Sequence, residues 1–202
     1  MKTLLVTFLF LLSSISSFSQ SSLVSQQWVA RFNGTGNTYD AANKSAIDRF
    51  GNIYVSGYSN GLKSEMDFAL LKYNQAGELQ WSRTYDNPNH TTDDCYWMTI
   101  DNAGNIYQSG RSDMGMVTIK YNSAGDFVWS KDFGGLIIAD INDNLYICDE
   151  SANHLNVRKY NSSAILLWEN SKSSEGTYAL NAAFDQSGNI FLTGGISRDS
   201  GS

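Results

Sequence analysis

Residues 51–59 read GNIYVSGYS, and residues 104–112 read GNIYQSGRS. A chain that says nearly the same nine letters twice is repeating a structural unit, and working outward from the copies shows how large that unit is. Three signals recur in fixed order. Asp-x-x-Gly-Asn runs from Asp48 to Asn52, from Asp101 to Asn105 and from Asp185 to Asn189, with a degraded copy from Asp140 to Asn144. Lys-Tyr-Asn follows at Lys72-Tyr73-Asn74, Lys120-Tyr121-Asn122 and Lys159-Tyr160-Asn161. A tryptophan closes each unit at Trp81, Trp129 and Trp168, and Trp28 precedes the first, giving spacings of 53, 48 and 39 residues.

A period near 45 with several short apolar runs describes a propeller blade rather than a helical solenoid. In the first unit four strand-like runs stand out, at residues 45–48, 52–57, 68–73 and 78–83. Phe68-Ala69-Leu70-Leu71 and Met116-Val117-Thr118-Ile119 are apolar on both faces, as a strand sandwiched between neighbouring blades must be. The turns have their own grammar. In Asp48-Arg49-Phe50-Gly51 the Asx side chain can bond the turn amides while glycine closes the hairpin, and Asn74-Gln75-Ala76-Gly77 and Asn122-Ser123-Ala124-Gly125 repeat it. No helical periodicity follows residue 20. The fold class is therefore all-β, a propeller of four-stranded antiparallel blades at about 45–83, 96–131 and 135–170, with a partial blade at 178–202 and an outer strand of a preceding or closing blade at 28–32. Strand alternation sends the two tight turns of each blade to one end and the longer, variable connections to the other. Variable loops on a rigid scaffold are where binding residues collect.

Composition narrows the function. Lys and Arg total 14 against 20 Asp and Glu, a net charge of −6, and clustered cations for phosphate contacts are missing, so nucleic acid is excluded as a partner. Lys2 followed by the apolar run 4–12 and by Ser17-Phe18-Ser19 reads as a signal peptide over 1–19, leaving a mature exported domain over 20–202. No other stretch is apolar enough to cross a membrane, so the reading is secreted, periplasmic or cell-surface. Cys95 and Cys148 allow at most one disulfide, and two buried unpaired thiols are the reading preferred.

The span Trp28…Phe32-Asn33-Gly34-Thr35-Gly36-Asn37…Asp40-Ala41…Asp48…Gly51-Asn52-Ile53-Tyr54-Val55-Ser56-Gly57-Tyr58-Ser59…Asp67-Phe68…Lys72-Tyr73-Asn74…Trp81 resembles the bacterial SBBP repeat, the repeat of seven-bladed β-propellers. The resemblance runs over residues 28–196. It implies an exported or cell-surface protein of a family mostly without assigned activity, whose members often carry a separate C-terminal sorting domain; none is visible here. The third unit departs most, with Asp143-Asn144 for Gly-Asn, Cys148-Asp149 for Thr-Gly, and no glycine-rich inter-blade loop. Counting strands gives fifteen, one short of four blades, so the remainder of a longer propeller or self-association is expected to cover the open edges.

The candidate ligand-binding residues lie on the long loops and on the strand ends beside them: Tyr39, Asp40, His90, Asp93, Asp94, Trp97, Arg111, Asp113 and His154. Asp40 with Asp93 and Asp94 is the best acidic cluster near the axis; its carboxylates suit either glycosidic chemistry or the ordering of loops, and the second is preferred. Trp97 breaks the one-tryptophan-per-blade rule and is read as filling the channel, with sugar stacking as the alternative, whereas Trp81, Trp129 and Trp168 are read as core. Gly57-Tyr58-Ser59-Asn60-Gly61 matches a nucleophile elbow in letters only, because no helix follows it. Asp140-Ile141-Asn142-Asp143-Asn144 lacks the glycine and the final carboxylate of an EF-hand, which leaves a looser calcium site as the alternative to an Asx-turn. No cofactor is expected. The reading adopted is a non-catalytic exported scaffold that binds a protein, glycan or surface component; the alternative is a propeller-class lyase, lactonase or quinoprotein-like dehydrogenase with an axial site.

Overall fold

The computed structural model describes residues 26–62, 65–113, 115–151, 154–173 and 177–196; the signal-peptide reading of residues 1–19 lies outside them. Every regular element among the described residues is a β-strand, and no helix there is long and apolar enough to cross a membrane. The first blade is β1 (Asp40–Ile47), β2 (Ile53–Ser59), β3 (Asp67–Tyr73) and β4 (Leu79–Tyr85). The second is β5 (Asp94–Ile100), β6 (Ile106–Ser112), β7 (Gly115–Tyr121) and β8 (Phe127–Lys131), and the third is β9 (Leu136–Ala139), β10 (Leu145–Ser151), β11 (His154–Tyr160) and β12 (Leu166–Ser173). A two-stranded sheet of β13 (Thr177–Phe184) and β14 (Ile190–Ile196) follows. Each four-stranded sheet is an antiparallel meander in sequence order.

The recurring motifs are explained by one arrangement. In the first two blades the Asp that opens the β1–β2 or β5–β6 turn takes the amide of the Asn four residues on, at 2.9 Å for Asp48 and 2.8 Å for Asp101, and also a tyrosine hydroxyl from the next strand. The Lys of Lys-Tyr-Asn then lies over that tyrosine ring, 5.2 Å from its centre for both Lys72 on Tyr54 and Lys120 on Tyr107. The two sequence signals are the two halves of one cation–π and hydrogen-bond stack.

The glycine in GNIYVSGYS answers a different need. The innermost strand carries a bulge at Asn43, at Tyr96 and at Leu180, and each pushes a carbonyl toward the strand beside it. A Cβ at Gly57, Gly110 or Gly194 would run into the carbonyl oxygen of Ala41, Asp94 or Tyr178 respectively. In the third blade the roles reverse: Asp149 carries the side chain, and Gly135 on the facing segment gives up its own, because a Cβ there would strike the Cys148 carbonyl.

Blades stack face to face. Tyr54, Phe68 and Leu70 of the first blade pack on Ile106, Val117, Ile119 and Tyr121 of the second, and Trp81 and Tyr85 seal that interface. Tyr107 of the second packs on Leu145, Ile147 and Tyr160 of the third, with Trp97, Trp129 and Phe133 around them. Cys95 and Cys148 are buried, unpaired thiols.

Two readings need correction. Among the described residues, 28–32 pair with no strand; they run beside the first blade with Ala30 and Phe32 packed on the Ala69, Leu71 and Tyr73 cluster and Trp28 stacked on Tyr73. Trp168 is not core. It is 41 % exposed, because the turn that Trp28 and Trp81 reach, at Gly77 and Gly125, has no counterpart beyond it among the described residues. Phe191, at the position Tyr54 holds in the first blade, is exposed for the same reason.

Candidate functional site

The long connections gather where the first two blades meet. Residues 86–93 join β4 to β5, and their shape is set from within. The Asp93 side chain accepts from Asn87 N at 2.8 Å and Asn87 Nδ2 at 3.0 Å, and Asp93 N donates to the Met66 carbonyl. Asp93 is fully buried, and that burial raises its carboxyl pKa against the lowering effect of the Asn87 and Ser112 hydrogen bonds. It anchors the loop through Asn87.

The loop it holds forms one wall of a cavity of about 410 Å³, lined by Glu65, His90, Thr91, Thr92, Asp94, Tyr96, Arg111, Ser112 and Asp113. Four of the nine residues singled out in the sequence, His90, Asp94, Arg111 and Asp113, come together here. Their surroundings are polar and ordered. Thr92 Oγ1 donates to Glu65 Oε2 at 2.5 Å, Asn89 Nδ2 to Asp113 Oδ2 at 3.2 Å, and Ser112 Oγ to Asp113 Oδ1 at 3.1 Å. His90 Nδ1 sits 2.5 Å from Asp86 Oδ2. Burial, then its hydrogen bond to Asp94, raises the Tyr96 hydroxyl pKa, so that hydroxyl stays protonated as a donor. Asp94 Oδ1 is buried with no protein donor among the described residues.

The other five lie elsewhere. Tyr39 pairs with Tyr58 at 5.9 Å between ring centres, and the Asp40 carboxylate takes the Gly34 amide at 3.0 Å. The expected Asp40, Asp93 and Asp94 cluster is thus spread over three separate sets of partners. Trp97 packs into the interface between the second and third blades, edge-on to Tyr96 at 5.4 Å. His154 opens β11 on the third blade, paired with Ser151 and Ser173. Glu65 and Tyr96 were missed. Tyr96 is the bulged residue of β5, and neither a bulge nor the approach of Glu65 from the preceding blade leaves a mark in the local sequence pattern.

One oxygen-rich group lies behind the cavity wall: carboxylate oxygens of Asp67, Asp86 and Asp93 come within 4.8 Å of one another. Those hard donors are the set among the described residues that suits a divalent cation such as calcium. The Asp140 loop does not. Its carboxylate is occupied by the Asn142 and Asn144 amides, the Asn144 side chain and Lys159 Nζ, as an Asx-turn requires.

Blades of this geometry, with a tryptophan at each close, invite comparison with known repeats. Residues 27–62 match the SBBP beta-propeller repeat. That span covers the segment beside the first sheet, the glycine-rich loop, β1 and β2 of the first blade. No curated protein matches the sequence. Among solved structures, a protein of unknown function from Bacteroides caccae is similar at 16% identity and a TM-score of 0.50, over 75% of this chain and 52% of that one. A gluconolactonase from Xanthomonas campestris is similar at 17% identity and a TM-score of 0.53, over 77% of this chain and 54% of that one. At such identities the likeness is one of fold. The chain spans about half the length of these structures.

Proposed function

We propose that this chain is an exported, non-catalytic propeller scaffold that binds a glycan through its long-loop end. The observation that carries the reading is the cavity at residues 90–96 and 111–113, whose lining brings together a carboxylate oxygen of Asp94, the Arg111 guanidinium and the Tyr96 ring. A sugar supplies hydroxyl donors for such an oxygen, acceptors for a guanidinium, and an apolar ring face for an aromatic side chain. Export rests on the Lys2 and apolar 4–12 pattern ahead of Ser17-Phe18-Ser19.

The test is a glycan array probed with the full chain, followed by titration of each hit while reading Trp97 fluorescence, since Trp97 lies edge-on to Tyr96. Arg111→Ala and Asp94→Asn should each weaken a hit at least tenfold, with the melting temperature held within a few degrees. Failure of every glycan to bind, or hits unchanged in both variants, would refute the reading. Turnover of a lactone by the wild-type chain that Arg111→Ala abolishes would replace it with the enzymatic one. N-terminal sequencing of the protein recovered from outside the cell should begin at Gln20.

A further inference from the structure

At the tight-turn end of the propeller, one blade interface holds a carboxylate supplied from within the chain. Between the second and third blades, Asp143 occupies the place where the other units have glycine, in the left-handed region at φ 62. Its carboxylate reaches across to the β5–β6 turn and accepts from Asn102 N at 2.8 Å and Ala103 N at 3.3 Å. Asn102 Nδ2 returns a bond to the Ile141 carbonyl at 2.7 Å. The β5–β6 turn is therefore a working carboxylate receptor, occupied from within the chain.

One interface earlier no carboxylate crosses from the next blade, and of the two turn amides Phe50 N is held by Asp48 Oδ1 at 2.9 Å. Arg49 and Phe50 hold the turn positions of Asn102 and Ala103, while Gly104 holds that of Asp143 and brings no carboxylate. What remains is a cleft of about 480 Å³ whose wall includes Asp48, Arg49, Phe50, Lys72, Asn102 and Gly104. Arg49 lies over the Phe50 ring at 4.7 Å, and Lys72 over Tyr54, so two cations stand at this wall. The acidic members are already used. Asp48 takes Phe50 N, both nitrogens of Asn52 and the Tyr54 hydroxyl, and Asp101 takes both nitrogens of Asn105 and the Tyr107 hydroxyl.

We propose that the cleft between the first and second blades binds a carboxylate ligand, such as an acidic side chain or a uronate, through the Arg49 guanidinium and backbone amide and through Lys72, at the place where Asp143 is bound one blade on. Arg49 stands where the internal receptor has only Asn102, so the cleft adds a charge-assisted donor suited to a carboxylate.

The experiment is an amide NMR titration of the full chain with sodium acetate against sodium chloride at matched ionic strength. Saturable acetate shifts at Arg49 and Phe50 are expected in the wild type. Gly104→Asp should abolish them by supplying the missing carboxylate from within. The only atom near a Cβ at Gly104 is Ser123 Cβ at 3.2 Å, and Asp143 itself tolerates a left-handed backbone. Asp143→Gly should add a second set of shifts, at Asn102 and Ala103. Should Gly104→Asp not fold, Arg49→Glu on the exposed turn serves in its place and should weaken acetate at least tenfold. Shifts identical in acetate and chloride, or undiminished in Gly104→Asp and Arg49→Glu, would overturn the proposal. Acetate saturation is scored at the tight-turn end, so loss of glycan binding at the other end leaves it untouched.

Discussion

Replacing Gly110 by alanine tests the bulge that shapes each blade. A Cβ at that position would overlap the Asp94 carbonyl oxygen and lie 2.8 Å from both Cys95 Cα and Phe68 Cζ. Carbon atoms pack comfortably at about 3.5–4.0 Å, so three neighbours are violated at once. One of them is the backbone of a strand held on its other side by the adjoining blades, and another is a ring in a buried core. Overpacking in such a core costs about 1–3 kcal/mol, and the backbone obstacle puts this case at about 3. Alanine also narrows the unfolded ensemble, which returns about 0.4–1 kcal/mol. The net loss of about 2–2.5 kcal/mol corresponds to a fall of about 4–10 °C in melting temperature for a chain of this length, followed by far-UV circular dichroism and checked by urea unfolding. The sign decides the matter. If the bulge carbonyl were no obstacle, the entropic gain would act alone and Gly110→Ala would melt at or above the wild type. That result would refute the account of the repeated glycine.

Truncating the tryptophans should separate sealed from open interfaces. Trp129→Ala removes a ring packed on Tyr107 and Phe133 and should cost about 3 kcal/mol, whereas Trp168→Ala, at a residue 41 % exposed, should cost about 1, so equal losses in urea unfolding would contradict the interface assignment. Asp48 and Asp140 should shape the acid limb of stability. Burial alone would raise their pKa values, but bonds from Asn52, Phe50 and Tyr54 to the first, and from Asn144, Lys159 and Asn142 to the second, outweigh it and hold both below the usual carboxylate range. Such groups stabilise the fold above their unfolded pKa and lose that contribution as pH falls through the depressed folded value, so Asp48→Asn should flatten the stability curve below about pH 4 and leave its slope near neutrality unchanged. The thiols should be silent. Burial pushes Cys95 up to about 11 and Cys148 up to about 12, so a thiol reagent at pH 8 should modify neither until denaturant is added, and fast labelling of the native chain would contradict their burial.

What was legible in the sequence is what repeats. Asp48, Gly51, Asn52 and Tyr54 speak for a turn and the strand after it because their bonds close within six residues, and the same letters return at Asp101, Gly104, Asn105 and Tyr107. The Lys-Tyr-Asn signal could be placed on a strand, but the stacking of Lys72 on Tyr54 could not be read, because it joins neighbouring strands. The candidate site was half visible for the same reason. His90, Asp94, Arg111 and Asp113 were found by their place on long loops, while Asp93, one residue from Asp94, turned inward to tie down Asn87. Adjacent residues of an extended segment point to opposite sides, and no repeat fixes which side a variable loop presents. Asp143 was read as decay of the motif. Its partners are the amides of Asn102 and Ala103, roughly forty residues back, and only the stacking of blades brings them near.

The strap at residues 26–34 has a practical corollary for anyone trimming this chain. Ala30 and Phe32 cover Ala69, Leu71 and Tyr73, so a deletion reaching Phe32 would bare a greasy plane on the first sheet and favour clumping over solubility. Affinity tags and fusion partners therefore belong upstream of Gln26.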